Sequence, residues 1–274
     1  MLFSKEREKV ANAVGAIRAL MVRPRADSGS ETALSGGLQV VARLAMSPLG
    51  FVPQAAARVP SLLRALGERR RAIPERRRQA PNPVLTAQIL SGSLRADEVL
   101  RERYLNLLAA SMDTATARHV HPAFLEILRQ ITPDEARIFS LFDTDGPYPV
   151  VTVQARRKFG GYTRVELRHF SLLGEQAGAD FPERTPLYID NLIRLGLCEM
   201  RAARVSEDAR IFTAVEAHPR VKETLAQIAA QHPAELGGPS DDPIVPDIQR
   251  KYLFVTAFGR QFFDACEYRP EAES

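Results

Sequence analysis

The sequence predicts a mainly α-helical protein with a small β component, in which a helical N-terminal and central region precedes an α+β module. Apolar residues recur at spacings of three and four residues through 100–142, as expected for amphipathic helices. Residues 150–167 instead alternate between apolar and polar in the manner of strands, around a candidate hairpin turn at Gly160-Gly161. The change of period predicts that the sheet belongs to the C-terminal part of the chain.

The central region predicts three successive helices. The first has an apolar face formed by Leu100, Tyr104, Leu107, Leu108 and Met112. The second begins near Pro122, where a first-turn proline is tolerated, and repeats the period at Phe124, Ile127, Leu128 and Ile131. The third begins at Thr132-Pro133, with Thr132 as N-cap and Glu135 three residues after it.

The N-terminal 80 residues are basic and rich in Ala and Leu. Residues 1–22 predict a short amphipathic helix, and residues 32–66 form an apolar stretch interrupted by proline and arginine. Its longest run without charge, residues 44–57, is too short for a bilayer, which needs about 20 residues. We expect this stretch either to pack on the rest of the protein or to lie in a membrane interface.

The charge is distributed unevenly along the chain. Residues 1–80 contain 15 Lys and Arg against 6 Asp and Glu, a net of +9, whereas the remainder has a net of −5. Near the end of this segment, most of the positive charge comes from two triple-arginine clusters: Arg69, Arg70, Arg71, Arg76, Arg77 and Arg78. Such a segment attracts polyanions, either an anionic membrane surface or nucleic acid. The alternative is a solvated helical face without a partner.

Pro81 and Pro83 predict the main linker, which gives three regions. We expect a basic helical region over 1–80, a central helical region over 81–145 and an α+β module over 146–274. Within the module, a helix over 186–195 ends at Gly196 and leads into the strand LCEM. A loop or hairpin follows, with Ile211, Thr213 and Val215 alternating. The helix PRVKETLAQIAAQH, the loop ELGGPSDDPIVPD, the strand KYLFVTAF and the helix GRQFFDACEY complete the order.

The order of these elements is similar to a winged-helix module. LIRLGLCE and FVTAFGRQF occupy the two helix–strand junctions, where the glycines allow the backbone to reverse. Under this interpretation residues 184–195 form a recognition helix and residues 199–215 form a wing. The helix contains only Arg184 and Arg194 against Glu183 and Asp190, few cations for a surface that binds phosphates.

Several motifs together resemble a known bacterial family. LLAASMD and HPAFLEILRQITPDEARIF are similar to the central signature of the abortive infection alpha (Abi-alpha) family. IPERRRQAPNP upstream, and YIDNLIRLGLCE and LFVTAFGRQFFDAC downstream, resemble its other elements, so the similarity covers roughly residues 60 to 268. The residues that carry the signature are Asp113, His121, Pro122, Phe124, Asn191, Leu195, Gly196, Thr256 and Gly259.

The resemblance implies a bacterial protein of phage defence, in the cytoplasm or peripheral to the inner face of the membrane. It assigns no catalytic residue and no cofactor, and we expect neither. His119 and His121 are the best metal candidates, with Asp113 as a third ligand if a loop converges them. Their spacing puts them on different helix faces, so we expect a helix cap at His121 and no metal site. Cys198 and Cys266 are expected to be buried and inert.

ARRKFGGYTR places basic and aromatic residues around one tight turn. Arg156, Arg157 and Lys158 adjoin Phe159, and this pattern can hold single-stranded nucleic acid by charge and stacking. The alternative, a solvated hairpin tip, is favoured because the surrounding half of the chain is acidic.

Two functions are therefore compared. The first is a non-enzymatic defence protein that acts through a protein partner or an anionic membrane surface. The second is a winged-helix regulator that binds nucleic acid. The first is preferred, because the basic segment lies before the signature and not on the predicted recognition helix.

Overall fold

The computed structural model describes residues 53–160, 163–203, 209–231 and 242–270. The predicted helix over 1–22 and residues 32–52 of the apolar stretch lie outside these ranges. The chain divides into two compact units. The first unit contains the described residues up to Pro133 together with those from Gln261 onward, and the second contains Asp134–Arg260. The three-region division expected from the sequence stays a prediction.

The predicted fold class, mainly helical with a small C-terminal sheet, is confirmed. The helices are α1 Pro53–Ala72, α2 Pro83–Arg95, α3 Glu98–Ser111, α4 Ala123–Leu128, α5 Pro133–Phe139, α6 Leu173–Gln176, α7 Thr185–Arg194, α8 Thr213–Ala217, α9 Pro219–Ala229 and α10 Ala257–Cys266. The strands are β1 Tyr148–Arg157, β2 Thr163–Phe170, β3 Cys198–Ala202 and β4 Ile244–Val255. Short 3-10 turns occupy Glu75–Arg77, Ala117–His119, Pro182–Arg184 and Ala209–Phe212. None of the described helices is both long and apolar enough to cross a bilayer.

The helices of the first unit begin at strong local signals. The Asn82 side chain accepts hydrogen bonds from the amides of Val84 and Leu85, and Pro83 occupies the first position of α2. Asp97 caps α3 in the same way through the amide of Leu100. The predicted linker at Pro81 and Pro83 is therefore the capped start of a helix. Gln79, two residues before Pro81, is bonded to the end of α3: its backbone amide donates to the Met112 carbonyl and its side-chain amide to the Ser111 carbonyl.

The apolar face predicted for α3 forms the core of the first unit. Tyr104, Leu107, Leu108 and Met112 are all at most 4% exposed. Phe124 of α4 is fully buried and meets Phe262 edge to face, with ring centroids 5.4 Å apart. The spacing of apolar residues therefore predicted the buried side of both helices, except that Leu100 of the predicted face is only partly buried.

The second unit contains a four-stranded antiparallel sheet in the order β2-β1-β4-β3. β1 and β2 form the predicted hairpin, with irregular register between Val151 and Gln154. Residues of the sheet form one apolar core with those of α8, α9 and the turn before α8: Val151, Val153, Ala155, Leu167, Phe170, Phe212, Val215, Val221, Ile228, Ile244 and Tyr252.

Two expectations for this unit were wrong. Residues 209–217 were expected to form a loop or hairpin that ends the wing, but they form a 3-10 turn and α8. The buried pair in this segment is Phe212 and Val215, three residues apart, which is a helical spacing. β4 also begins at Ile244, inside the predicted loop. Pro246 is tolerated there because β3 pairs only with residues 251–255 of β4, which leaves Pro246 a strand neighbour on one side alone.

Glycine occurs at both of the predicted helix–strand junctions, and the structural reason for it differs between the two. Gly196 follows α7 with φ +74°, the left-handed backbone that favours glycine at the end of a helix. Gly259 is instead required by close approach, since a Cβ atom there would lie 2.0 Å from the carbonyl oxygen of Leu197. Thr256 fixes this contact by donating to the Gly196 carbonyl at 2.6 Å and accepting from the Gly259 amide at 2.9 Å.

Candidate functional site

Asp113, at the end of the signature helix α3, is a buried carboxylate with four hydrogen bonds. It has no exposed surface. Arg77 donates to both carboxylate oxygens, at 2.9 and 2.5 Å, in the bidentate geometry that suits a guanidinium. The hydroxyl of Tyr268 donates at 2.5 Å and the amide of Ala115 at 2.9 Å. This network joins three parts of the first unit that are distant in sequence.

The electrostatics show that Asp113 is held ionised. Burial alone would raise the pKa of Asp113, but the hydrogen bonds from Arg77, Tyr268 and Ala115 outweigh it, so that the pKa lies below its ordinary value. A buried, fully bonded carboxylate of this kind organises a fold. The presence of Asp113 in the signature is therefore explained by the hydrogen bonds through which it stabilises the first unit.

The arginine clusters make interactions within the first unit. Arg69 bonds Glu102 and, at 2.9 Å, the side-chain oxygen of Asn106. Arg78 donates to the carbonyl oxygens of Ile73 and Arg71. The remaining arginines of the two clusters also have interaction partners in the chain: Arg70, Arg71, Arg76 and Arg77.

A groove lies in the first unit, between the end of α2, the start of α3 and the end of α4. Its volume is about 420 Å³. Apolar walls come from Leu100, Leu128 and Ile131, and the polar rim from Ser91, Arg95 and Arg129. All these residues belong to the first unit, and Leu128 and Ile131 come from the motif HPAFLEILRQI. Three of the nine lining residues, Leu128, Arg129 and Ile131, therefore belong to the central signature, and the others come from α2, the residue after it and the start of α3.

Tyr104 of α3 is a buried residue that lines the groove. The residue is 4% exposed, and within the described part of the chain its hydroxyl has no hydrogen-bond partner. Burial raises its pKa, an effect that the positive charge of Arg129 partly offsets. The phenol therefore stays protonated at neutral pH and is available as a donor.

A glycine makes the position of this phenol possible. A Cβ atom at Gly92 of α2 would lie 2.8 Å from Cε1 and 2.9 Å from Cζ of Tyr104, closer than side chains allow. Glycine inside a helix costs about 1 kcal/mol relative to alanine. Here the missing side chain lets the ring pass directly beside the α2 backbone and reach the groove.

The rim contains two guanidinium groups in different states. Arg129 pairs with Glu126, with 2.6 Å between Nη1 and the carboxylate. Arg95 is exposed and, among the residues that the structure describes, makes no hydrogen bond or ion pair. The polar groups available in the groove are thus the hydroxyls of Ser91 and Tyr104 and the guanidinium of Arg95.

The histidines of RHVHP do not converge. His119 and His121 are both exposed, and Nδ1 of His121 accepts from the amide of Ala123, which is the predicted cap. Across the described residues, no three His, Cys, Asp or Glu side chains are grouped as metal ligands. Cys198 and Cys266 are buried as expected, which raises the pKa of the Cys198 thiol to about 12 and that of Cys266 well above its ordinary value.

The hairpin residues divide between surface and interior. Lys158 and Phe159 are exposed, with the ammonium 5.6 Å from the ring centroid and 74% of Phe159 accessible. Arg156 is also exposed. Arg157 is only 4% exposed and donates to the Asp242 carbonyl at 2.9 Å, so its charge is not presented to a partner.

The predicted recognition helix α7 uses its polar residues internally. Asn191, a signature residue, donates to Glu135 at 2.6 Å, and the carboxylate of Asp190 accepts from Nδ1 of His169 at 2.8 Å. Arg194 bonds the Asn191 side chain, and Arg184 stacks 4.8 Å over Phe181. Leu195 is the C-cap of this helix.

Sequence reasoning did not find the groove. Tyr104 was placed correctly on the buried face of α3, but nothing local shows that its hydroxyl lacks a partner. The sequence predicts a short helix that ends at Gly92, but the helix continues to Arg95. A glycine inside a helix can indicate close approach of another group, and Gly92 is therefore the one local signal.

Comparison with known proteins places this geometry in context. A family model described as abortive infection alpha matches residues 55–266. No curated protein matches the chain. A similar solved structure is that of an uncharacterized protein from the hydrocarbon-degrading marine bacterium Alcanivorax borkumensis SK2. It shares 19% identity with a TM-score of 0.35, and the match covers 56% of this chain and 96% of that one.

Proposed function

Because the chain belongs to the abortive infection alpha family, we propose that it takes part in abortive infection of bacteria by phage, and that it acts by binding a partner and not by catalysis. The groove between α2, α3 and α4 is the contact point. The observation that carries this proposal is the set of polar groups in the groove, two hydroxyls and an unpaired guanidinium on Arg95.

The chemistry of these groups supports binding. Arginine keeps its proton throughout the physiological range and cannot serve as a base. The phenol of Tyr104 is protonated at neutral pH, since the ordinary pKa of a tyrosine is about 10 and burial raises it further. Such a set of donors recognises an acceptor, and an anionic one best.

A partner at the groove is preferred over a membrane held by the arginine clusters. Arg69, Arg77 and Arg78 already donate to groups of the first unit. Transfer of these arginines to lipid phosphates would leave the buried carboxylate of Asp113 without its main partner. Arg95 has no such internal commitment among the described residues.

The experiment compares phage burst in bacteria that express the protein, its variants or an empty vector. Infection at a multiplicity well above one should release fewer phage from cells with the protein, although those cells do not survive. Arg95→Gln should restore the burst. Arg64→Gln is the matched control, since Arg64 is also exposed and unpaired among the described residues. An unchanged burst across a panel of phages that infect the control strain would refute the defence role.

Nucleic-acid binding is the second candidate, and one observation favours it. Phe159 is exposed beside Lys158 at the tip of the β1–β2 hairpin, an arrangement suited to stacking a base. Filter binding of single-stranded DNA and RNA at low and high salt tests it, with Phe159→Ala as the variant. Retention that is independent of salt and of Phe159 would exclude it.

A further inference from the structure

We propose that the groove binds a small amphiphile with one anionic head group, a carboxylate or a phosphate, attached to a short apolar chain. This inference rests on the proposed function, because it names the ligand of the same site.

The head group is inferred from the donors. Tyr104 as a whole residue is only 4% exposed, and its hydroxyl has no hydrogen-bond partner among the described residues although it is not one of the polar atoms sealed from solvent. Such a hydroxyl is held in place and is open to a ligand in the groove. Ser91 contributes a second hydroxyl and Arg95 a guanidinium, neither with a partner among the described residues. A carboxylate or phosphate has enough acceptor sites to satisfy all three groups together.

The apolar chain is inferred from the walls. Leu100, Leu128 and Ile131 line the groove next to the donors. The groove volume of about 420 Å³ lies in the range of about 300 to 1,000 Å³ that is usual for small-molecule sites. An inorganic anion alone would leave these apolar walls uncovered.

A small molecule fits better than an acidic protein segment. A peptide backbone brings an N–H group with each carbonyl, and both need partners when buried. The available polar groups of the groove are donors or hydroxyls, so most peptide N–H groups would remain unpaired. A bilayer surface would place its head groups at the rim, near Arg95, and leave the hydroxyl of Tyr104 without a partner.

The experiment uses the purified full-length protein and isothermal titration calorimetry. The probes are decanoate and decyl phosphate, each below its micelle concentration, with decanol, acetate and inorganic phosphate as controls. We expect saturable binding of at least one decyl anion, and at least tenfold weaker binding of decanol and of the ions without a chain. Which anion binds more tightly identifies the head group.

Three variants connect this binding to the groove. Tyr104→Phe should weaken binding of the decyl anion about three- to tenfold, which corresponds to the loss of one hydrogen bond. Arg95→Gln should weaken this binding and reduce its dependence on salt, whereas Arg64→Gln should change neither the affinity nor the salt dependence. Gly92→Ala forces the Tyr104 ring aside and should weaken binding too. Thermal unfolding of each variant confirms that the folded protein was titrated.

Other outcomes overturn the inference. The first is that neither decyl anion binds saturably. The second is that wild type, Tyr104→Phe and Arg95→Gln bind the decyl anions equally well. The third is that the protein prefers an acidic helical peptide or anionic vesicles to the decyl anions. The inference and the proposed function fail separately. Phage protection without amphiphile binding rejects only the ligand, and amphiphile binding without any phage protection rejects only the defence role.

Discussion

Asp113→Asn should destabilise the first unit while it preserves the shape of the side chain. The native carboxylate accepts two hydrogen bonds from Arg77 and one from Tyr268, in a site with no exposed surface. An amide keeps one oxygen but directs an NH2 group at a donor. Breaking a buried pair costs about 3 to 5 kcal/mol. We expect a value near the lower end, about 3 kcal/mol, because the Arg77 side chain is 24% exposed and can recover some hydration.

Urea unfolding followed by hydrogen exchange of α3 peptides measures this loss for the first unit separately. A loss of this size should move the midpoint by about 1 to 2 M urea. Asp264→Asn is the matched control, since Asp264 is exposed in the same unit and has no hydrogen bond or ion pair among the described residues. A cost below about 1 kcal/mol for Asp113→Asn would refute the view that this network organises the unit.

The pH dependence gives a second test of the same residue. The folded-state pKa of Asp113 is lower than the unfolded one, so its stabilising effect is complete above the unfolded pKa of about 4 and is lost as the pH falls through the folded value. The stability difference between wild type and Asp113→Asn should therefore be constant from pH 5 to 7, and should shrink below about pH 4. A difference that grows in acid would contradict the assignment.

The remaining predictions concern both units. Gly259→Ala should destabilise the second unit by at least about 2 kcal/mol, measured by urea unfolding, because its Cβ would meet the Leu197 carbonyl at 2.0 Å. Cys198 and Cys266 should react with a thiol reagent at pH 8 only after unfolding, since burial raises both pKa values; rapid reaction in the native state would be contrary to this. Asp134→Asn should loosen residues 180–181, whose amides bond its carboxylate at 2.8 and 3.0 Å, and faster exchange of those amides is the readout.

Features determined by neighbouring residues were predictable from the sequence. The start of α5 at Pro133, the end of α7 before Gly196 and the β1–β2 hairpin all follow from caps, turns and periods within a few residues. The same reasoning failed at residues 209–217. Ile211, Thr213 and Val215 alternate as in a strand, but the buried residues are Phe212 and Val215, which have a helical spacing.

Features determined by distant residues were not predictable. Arg77 and Asp113 are 36 residues apart, and Asp113 and Tyr268 are 155 apart. The sequence shows that Arg77 is positive, but only the fold shows that a buried carboxylate holds it. The groove likewise depends on three helices meeting beside Tyr104, and no local pattern reports that the phenol lacks a partner.

The most direct test of the proposed binding role is the removal of one oxygen atom. Tyr104→Phe deletes a hydroxyl that has no partner in the described chain and keeps the buried ring, so the free energy of unfolding should stay equal or rise slightly. Phage burst from cells that express this variant should nevertheless rise towards that of the empty vector. Full protection by a stable Tyr104→Phe protein would contradict the claim that the groove is the working part of the molecule.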